Sequence, residues 1–456
     1  MSPPTNLAKL VLPDVQELMR EAPPEQVARA LSRFHAADVA SVLESLGEEE
    51  ATRLIPALDP DVQAQALECL DQTFRQGLAE RLGAAALAPI VARMASDDRA
   101  DFIAGLSEEL RAGLLALLPP SERTDVSRLV TYPEETAGGR MTSEHVELRP
   151  DMTVEEAVAQ VRKVAAERET IVAMYVVGTD RRLEGVVTVR KLLLAAPDKR
   201  VREIMISPPI SVPVDADQET VARQLAHYDF VAIPVVDSGG RMLGIVTVDD
   251  ALDVAQEEAT EDAHMMGAVE PLEAPYLETH LLTLVRKRAV WLSILFVAGL
   301  GAGSILSGFH HTLQGTVALL LFVPLVIAAG GNSGAQSATL VCRGLAMGEF
   351  RQGDWWRIFR RELASGMLLG TLLGALGFVV SLIHGSPRWA YVALTVWVTL
   401  VGIVTAGSLL GSLLPLAAKR LGIDPAITSA PLVACLVDII GILIYVTAAT
   451  LIVPPP

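Results

Sequence analysis

Cysteine is almost missing from this chain. Only Cys69, Cys342 and Cys435 occur in 456 residues. No two share a metal-ligand spacing, so neither a disulfide framework nor a thiolate metal site is implied. A basic excess is missing too: 37 Lys and Arg stand against 54 Asp and Glu, a formal net charge of −17. That balance argues against nucleic acid as a partner, because phosphate binding needs clustered cations; it favours divalent cations. The segment Met1 to Met19 lacks a basic start followed by an apolar core, so no signal peptide is expected and the soluble part is expected in the cytosol. No nucleophile–base pair or metal-hydrolase constellation stands out, and an enzyme is not expected.

What the chain has is apolar sequence, unevenly spread. It is 51% hydrophobic with a mean hydropathy of +0.40. Residues 281–456 hold 11 Lys and Arg against 5 Asp and Glu, a net of +6; residues 1–280 hold 26 against 49, a net of −23. An acidic soluble part is therefore joined to a membrane part. A helical span needs about 20 apolar residues, and five stretches qualify: roughly 289–309, 315–342, 363–384, 390–416 and 427–453. Basic residues fix the orientation. Arg286, Lys287 and Arg288 precede the first span. The second loop carries Arg343, Arg351, Arg357, Arg360 and Arg361, and the fourth Lys419 and Arg420. The first loop (Ser307 to Gln314) and the tail carry none, and the third loop only Arg388. The N-terminus is expected inside and the C-terminus outside.

One carboxylate sits in the middle of an apolar stretch. Asp438 lies near the centre of the last span, where a charge costs roughly 2.5–3.5 kcal/mol on insertion scales. Such a residue faces a wet path and meets an ion or a proton; the bland alternative is a structural bond to a basic partner. No Lys, Arg or His lies deep in any span to provide one. The second span contains Pro324 and then Gly330-Gly331-Asn332-Ser333-Gly334-Ala335-Gln336-Ser337. These small and polar residues either pack helices closely or line a cavity; Asn332 and Gln336 favour the cavity. Gly407 and Gly411 in the fourth span read as packing. Thr428, Ser429 and Pro431 are expected to loosen the start of the fifth helix. Asp424 reads either as a residue of the cytosolic mouth or as an ordinary helix cap.

In the soluble part, residues 7–130 read as short amphipathic helices punctuated by prolines and glycines. His35 to Ala40 loosely resembles Ser96 to Asp101, as in a helical repeat array. Residues 141–255 read as two copies of a βαβ-type unit about 60 residues apart. Ile171–Val177 and Leu183–Val189 recur as Val231–Asp237 and Met242–Val248, and each copy starts with a Met-containing turn, Arg140-Met141-Thr142 and Ile204-Met205-Ile206. This tandem repeat resembles a pair of CBS domains. The resemblance implies ATP or another adenine nucleotide as a candidate ligand at a Thr-x-x-Asp ending, here Thr247 and Asp250; the first copy has Lys191 at the matching place. Residues 251–281 read as a helical connector. Its Glu257–Glu261 and Glu258–Asp262 pairs are one turn apart on one side. Such a pair repels by at most roughly 3 kcal/mol at an effective dielectric near 20. A cation would relieve that; a solvated acidic face is the alternative.

Taken together, these parts resemble the MgtE family of magnesium channels and transporters. The likeness rests on Tyr132-Pro133-Glu134-Glu135-Thr136-Ala137-Gly138, on Tyr276 and Arg288-Ala289-Val290-Trp291-Leu292, and on Gly330-Gly331-Asn332 through Arg343-Gly344-Leu345-Ala346. It rests also on Asp424-Pro425-Ala426 with Pro431 and Asp438. It implies a multidomain fold: an all-α helical-repeat N-terminal domain (1–131), an α/β tandem CBS domain (132–252), a connecting plug helix (253–281) and an all-α transmembrane domain of five spans (282–456). It implies a homodimer in the cell membrane whose pore lies between the second and fifth spans, with Asp438 as its selectivity residue. It further implies a cytosolic Mg2+ sensor, whose ligands by position would be Asp97, Asp101, Asp217, Glu219, Asp229, Asp250, Asp253, Glu258, Glu261 and Asp262, with Asp424 near the pore entrance. From a different class, a proton-coupled carrier of Mg2+, Mn2+ or Co2+ using Asp438 is the second reading. A membrane-anchored energy sensor is the third.

Overall fold

The computed structural model describes residues 6–165, 168–272, 276–277, 279–308, 317–350, 353–383 and 388–454. Most of the loop read as Ser307 to Gln314 lies outside these residues, as do Arg351 and the first two residues of the expected second span. The chain divides into two compact units, Met1–Glu257 and Glu258–Pro456.

The first unit opens with helices α1 (Asn6–Glu21), α2 (Pro24–Leu31), α3 (Ala36–Leu46), α4 (Glu48–Leu54), α5 (Pro60–Glu68), α6 (Gln72–Val91), α7 (Ser96–Ala104), α8 (Glu108–Leu117) and α9 (Pro120–Leu129). The prolines that punctuate the sequence mostly start helices: Pro24, Pro60 and Pro120 occupy first turns, where the missing N–H has no helical partner. Asp59 and Asp71 cap α5 and α6 by accepting from Asp61 N and Thr73 N. Successive helix pairs are tied at one recurring interval. Asp59 N donates to Ser32 Oγ (3.1 Å), Asp71 N to Glu44 (2.8 Å), Ala95 N to Glu68 (3.3 Å) and Ser107 Oγ to Glu80 (2.5 Å). Each tie spans 27 residues, which is the stacking of a helical array. Leu43, Leu54, Ile55, Leu78, Leu87 and Leu114 fill its core.

Two three-stranded sheets follow, each with one parallel and one antiparallel pairing. In the first, β1 (Glu147–Leu148) pairs parallel with β2 (Ala173–Val177), which pairs antiparallel with β3 (Leu183–Thr188). The second repeats this with β4 (Val212–Pro213), β5 (Ala232–Val236) and β6 (Met242–Thr247), down to an identically placed register shift. Helices α10 (Val154–Val164), α11 (Val189–Leu194), α12 (Val201–Ile204) and α13 (Gln218–Tyr228) complete the copies. The Met-containing turns do not belong to the copies that they precede. Thr142 exchanges both backbone hydrogen bonds with Ile245 of β6, and Ile206 with Val186 of β3. The strand residues beside them are glycines because the seams are close. A Cβ on Gly244 would stand 2.6 Å from Thr142 O, and one on Gly185 2.7 Å from Met205 Sδ.

Helix α14 runs over Val248–Met266. The helical connector therefore starts directly after β6 and stops well before residue 281. Its end is a Schellman turn: Val269 N bonds His264 O, Ala268 N bonds Met265 O, and Ala268 takes a left-handed conformation (φ 56).

The second unit contains five helices long and apolar enough to cross a membrane: α15 (Leu281–Gly308), α16 (Val317–Ala346), α17 (Trp355–Ile383), α18 (Trp389–Arg420) and α19 (Ala430–Ile452). Several run past the apolar stretches at their basic ends, since long Arg and Lys side chains keep their charges near water while the stem stays helical. Gly407 and Gly411 of α18 lie against Gly330 and Gly334 of α16, as their spacing suggested. A longer stripe of small residues, Gly366, Gly370, Gly374 and Gly377, packs α17 on α18. Tyr445 Oη donates to Leu319 O at 2.6 Å and latches α19 to α16.

Candidate ion path and carboxylate cluster

In the second unit, α16 and α19 enclose an open cavity of about 710 Å³. Pro324, Gly331, Asn332, Pro431, Ala434 and Asp438 line it. Gly331 brings the α16 backbone close to the carboxylate: a methyl group there would lie 3.7 Å from Asp438 Oδ1. Asp438 is half-buried and makes no hydrogen bond or ion pair among the described residues.

The polar run on α16 serves both readings at once, on opposite faces. Gly331, Asn332 and Ala335 face the cavity. Ser333 bonds Ser408 Oγ at 2.8 Å and Val404 O at 3.3 Å, so it belongs to the packing face. Gln336 is exposed and does not line the cavity. Ser337 donates to Glu362 Oε2 at 2.7 Å. Glu362 is a second carboxylate inside a spanning helix, and the sequence reading missed it because it placed the span one residue later.

At the start of α19 Thr428 Oγ1 donates to Pro425 O at 2.6 Å, and the Ser429 hydroxyl caps no helix N–H. Asp424 Oδ1 accepts from Ala426 N at 2.8 Å and caps the short turn Pro425–Ile427. Ser429 precedes the helix, and Pro431 falls in its first turn, where proline is tolerated. Asp262, on α14, senses Asp424. Burial first, then the Asp424 and Glu258 charges, push its carboxyl up. Glu258 and Glu261 lie on the same helix. Glu257 pairs with Arg140 at 2.8 Å.

The first unit gathers a larger set of carboxylates. Burial, then Asp250, pushes Asp97 well above the usual range; it is 8% exposed and its Oδ1 has no hydrogen-bond partner among the described residues. Burial raises Asp98 to about 6, with Asp101 adding to it, and raises Asp101 to about 6 against the pull of Arg140. Asp250 reaches about 6 through burial, even though Thr247 Oγ1 donates to it at 2.6 Å. Burial and Asp249 raise Asp253. Glu68 and Glu169 rise to about 7, and Glu144 rises too, each chiefly through burial. Sequence reasoning missed Glu68, Asp98, Glu144, Glu169 and Asp249. They come from separate elements, and no local spacing marks them.

Three predicted ligands lie apart from this set in local roles. Asp217 caps α13 by accepting from Glu219 N and Thr220 N. Glu219 pairs with Arg223 at 3.3 Å, and Asp229 is the left-handed cap that ends α13. Among the described residues no three His, Cys, Asp or Glu side chains are placed closely enough to hold an ion as they stand. At the second copy's Thr-x-x-Asp ending the two side chains bond each other; in the first copy Thr188 caps Lys191 N at 3.3 Å.

Comparison with known proteins follows these divisions. The family described as a divalent cation transporter matches residues 323–448, the MgtE intracellular N domain matches 34–135, and CBS domains match 137–198 and 201–257. Fold and site thus define a multi-pass membrane transporter with an intracellular-type helical domain and a CBS pair. The magnesium transporter MgtE of Bacillus subtilis is 33% identical over 95% of both chains, and that of Thermus thermophilus 46% identical over 73% of both. The chain belongs to the MgtE family. Among solved structures, the soluble part of a magnesium transporter matches 55% of this chain and 99% of its own (TM-score 0.52, 30% identity). The cytosolic domain of the Mg2+ channel MgtE in complex with ATP matches 53% and 99% (TM-score 0.51, 37% identity).

Proposed function

We propose that this protein is a Mg2+ channel of the cell membrane that imports Mg2+ and is closed by Mg2+ held on its cytosolic carboxylates. The observation that carries the path is the unpaired Asp438 beside Gly331 and Asn332. Mg2+ sheds water reluctantly and needs few protein ligands. One carboxylate with nearby backbone can pass a largely hydrated ion, with selectivity set by width and field. A homodimer would set two such cavities about one axis. The basic loops support a cytosolic N-terminus, and we read the chain as separate sensing, connecting and conducting pieces with boundaries at 131, 252 and 281.

The sensor reading rests on fit. Asp97 presents a buried oxygen with no partner, and its neighbours are carboxylates lifted by burial and mutual repulsion. Mg2+ there would supply the missing positive charge. Asp97, Asp98, Asp101, Asp250 and Asp253 would hold it within the first unit; Asp262 and Asp424 form a second acidic pair in the other. Asp217, Glu219 and Asp229 face this task only if a second subunit completes their site. Deprived of ions, the carboxylates repel and the closed arrangement loosens. ATP is a candidate ligand at Thr247 and Asp250, as a related cytosolic domain was solved with it.

An unpaired carboxylate would equally suit a proton-coupled carrier. Ion flux into liposomes, measured against voltage with and without a proton gradient, separates the two. Voltage-driven Mg2+ flux that ignores the proton gradient supports the channel; flux that requires the gradient overturns it.

A further inference from the structure

Helix α15 faces outward along almost its whole length. Of its 28 residues only Lys287 and Ala302 are buried. Arg286 and Arg288 stay exposed, as cations at the end of an apolar span do when their stems carry the charge to water. Lys287, between them, turns the other way. It is 5% exposed, and its ammonium donates to the carbonyl oxygen of Pro271. Taking an ammonium out of water is costly unless it is bonded, and ordering a lysine side chain costs rotamer freedom as well. A lysine held inside while both neighbours reach out is held by what it binds.

The bond ties it to the chain just beyond α14. Pro271 follows closely on the Schellman turn that ends that helix, and Ala268 of the turn is itself 5% exposed. The proline ring fixes its own φ and confines Glu270 to extended backbone, so few free torsions separate the turn from the bonded carbonyl. The acceptor is main chain. The end of α14 therefore cannot shift without carrying Lys287 along or breaking the bond.

Further along, α15 seats on the helix that carries Asp438. Ala302 packs with Ile442 and Val446, and Ile439, next to Asp438, borders the same cluster. A methyl group on Gly301 would lie 3.8 Å from Ile439 Cδ1, and Cys435 Sγ donates to Leu295 O at 3.6 Å. One helix thus holds the end of α14 near its start and α19 in its second half. Rigid elements of this kind carry coupling between distant sites.

We propose that Lys287 is a positioning residue of the gate, a strap through which movement of α14 passes to α15 and from there to α19 beside Asp438. The inference rests on the reading of α14 as the helix that cytosolic Mg2+ draws into the closed state. It adds a path from Glu258, Glu261 and Asp262 on α14 to the pore helix that needs no ion of its own.

Two measurements on the full-length protein test it. Mg2+-dependent protection from protease reads the cytosolic part, and inhibition of patch currents by stepped cytosolic Mg2+ reads the pore. Lys287→Met keeps the length of the side chain and removes the donor. Its protection midpoint should match the wild type, while the Mg2+ needed for half-inhibition rises about tenfold or more, the scale of one hydrogen bond from a charged donor. Lys287→Arg, which restores charged donors, should recover inhibition. An unchanged inhibition curve in Lys287→Met overturns the strap. So does a protection midpoint that moves together with inhibition, since the residue then acts on the sensor and not between sensor and pore. Where Lys287→Met does not elute as a folded protein in gel filtration, Lys287→Gln takes its place; loss of fold in both makes Lys287 a structural anchor and overturns the proposal. A wild type that shows neither protection nor inhibition by Mg2+ overturns the gating reading itself.

Discussion

Asp438 and Asp97 are both aspartates withdrawn from water, and they are withdrawn in opposite company. Asp438 shares a wide cavity with Gly331, Asn332 and Ala434, and among the described residues no other charged side chain lines it. Asp97 is nearly sealed and surrounded by acids: Asp98, Glu169 and Asp250 all act on it. A solitary carboxylate in a wide cavity attracts a cation without gripping it, which suits passage. A crowd of carboxylates around one buried aspartate is strained until cations arrive, which suits a threshold response. On the proposed reading the same side chain serves conduction in one unit and sensing in the other, and number and burial make the difference.

The comparison breaks most sharply at the solitary site. Asp438→Ala should abolish Mg2+ uptake while the protein remains folded, and Asp438→Asn should lose selectivity as well. Wild-type uptake by purified Asp438→Ala in liposomes would remove Asp438 from the path. Neutralising Asp253, Glu258, Glu261 and Asp262 together should leave selectivity intact and keep the channel open at Mg2+ levels that close the wild type. Patch recordings with stepped cytosolic Mg2+ read this directly. A more readily closed mutant would mean that these groups only repel, and an unchanged inhibition curve would make them a solvated face.

A pH experiment sharpens the crowded side. Burial raises Glu68 and Glu169 to about 7, and Asp98, Asp101 and Asp250 to about 6. Groups raised in the folded state bind more protons there than when unfolded. Stability without metal therefore falls as pH climbs from about 4 toward 7, and the loss is complete above the raised values. Without Mg2+, protease cleavage of the cytosolic part should be several-fold faster at pH 8 than at pH 5.5, and Mg2+ should remove most of the difference. Cleavage equal at both pH values would count against a strained cluster. The smallest effect belongs to packing. Ser337→Ala leaves half-buried Glu362 without that donor and should cost about 1–3 kcal/mol in thermal unfolding, with uptake retained; lost uptake would place Ser337 in the path.

Sequence showed the solitary carboxylate because it stands against an apolar background, where one charge is conspicuous. The crowd was only half visible. Asp97, Asp101, Asp250 and Asp253 followed from the family likeness, whereas Glu68, Asp98, Glu144, Glu169 and Asp249 are acids among many acids until the fold gathers them. Glu362 hid behind Arg360 and Arg361, whose charges made the apparent span begin late. The end of α14 was hidden because Ala268 occupies a left-handed position at which glycine would have announced the stop. The helical array, the tandem sheets and the five long apolar helices were all legible, since each repeats a periodic pattern many times. Which turn joins which sheet was not, because two near-identical copies offer near-identical partners.

That last exchange sets how the CBS pair comes into being. Thr142 waits for Ile245, about a hundred residues downstream, before its backbone groups are satisfied. Strand β3 is completed only when Ile206 has been made. The second copy cannot finish on its own, and the contact that closes it joins Thr142 to Ile245 across the whole pair, which slows folding. A single copy cut from the chain would carry bare strand edges prone to pairing with other chains. The pair, and not the repeat, is thus the smallest piece fit to be made, inherited or engineered.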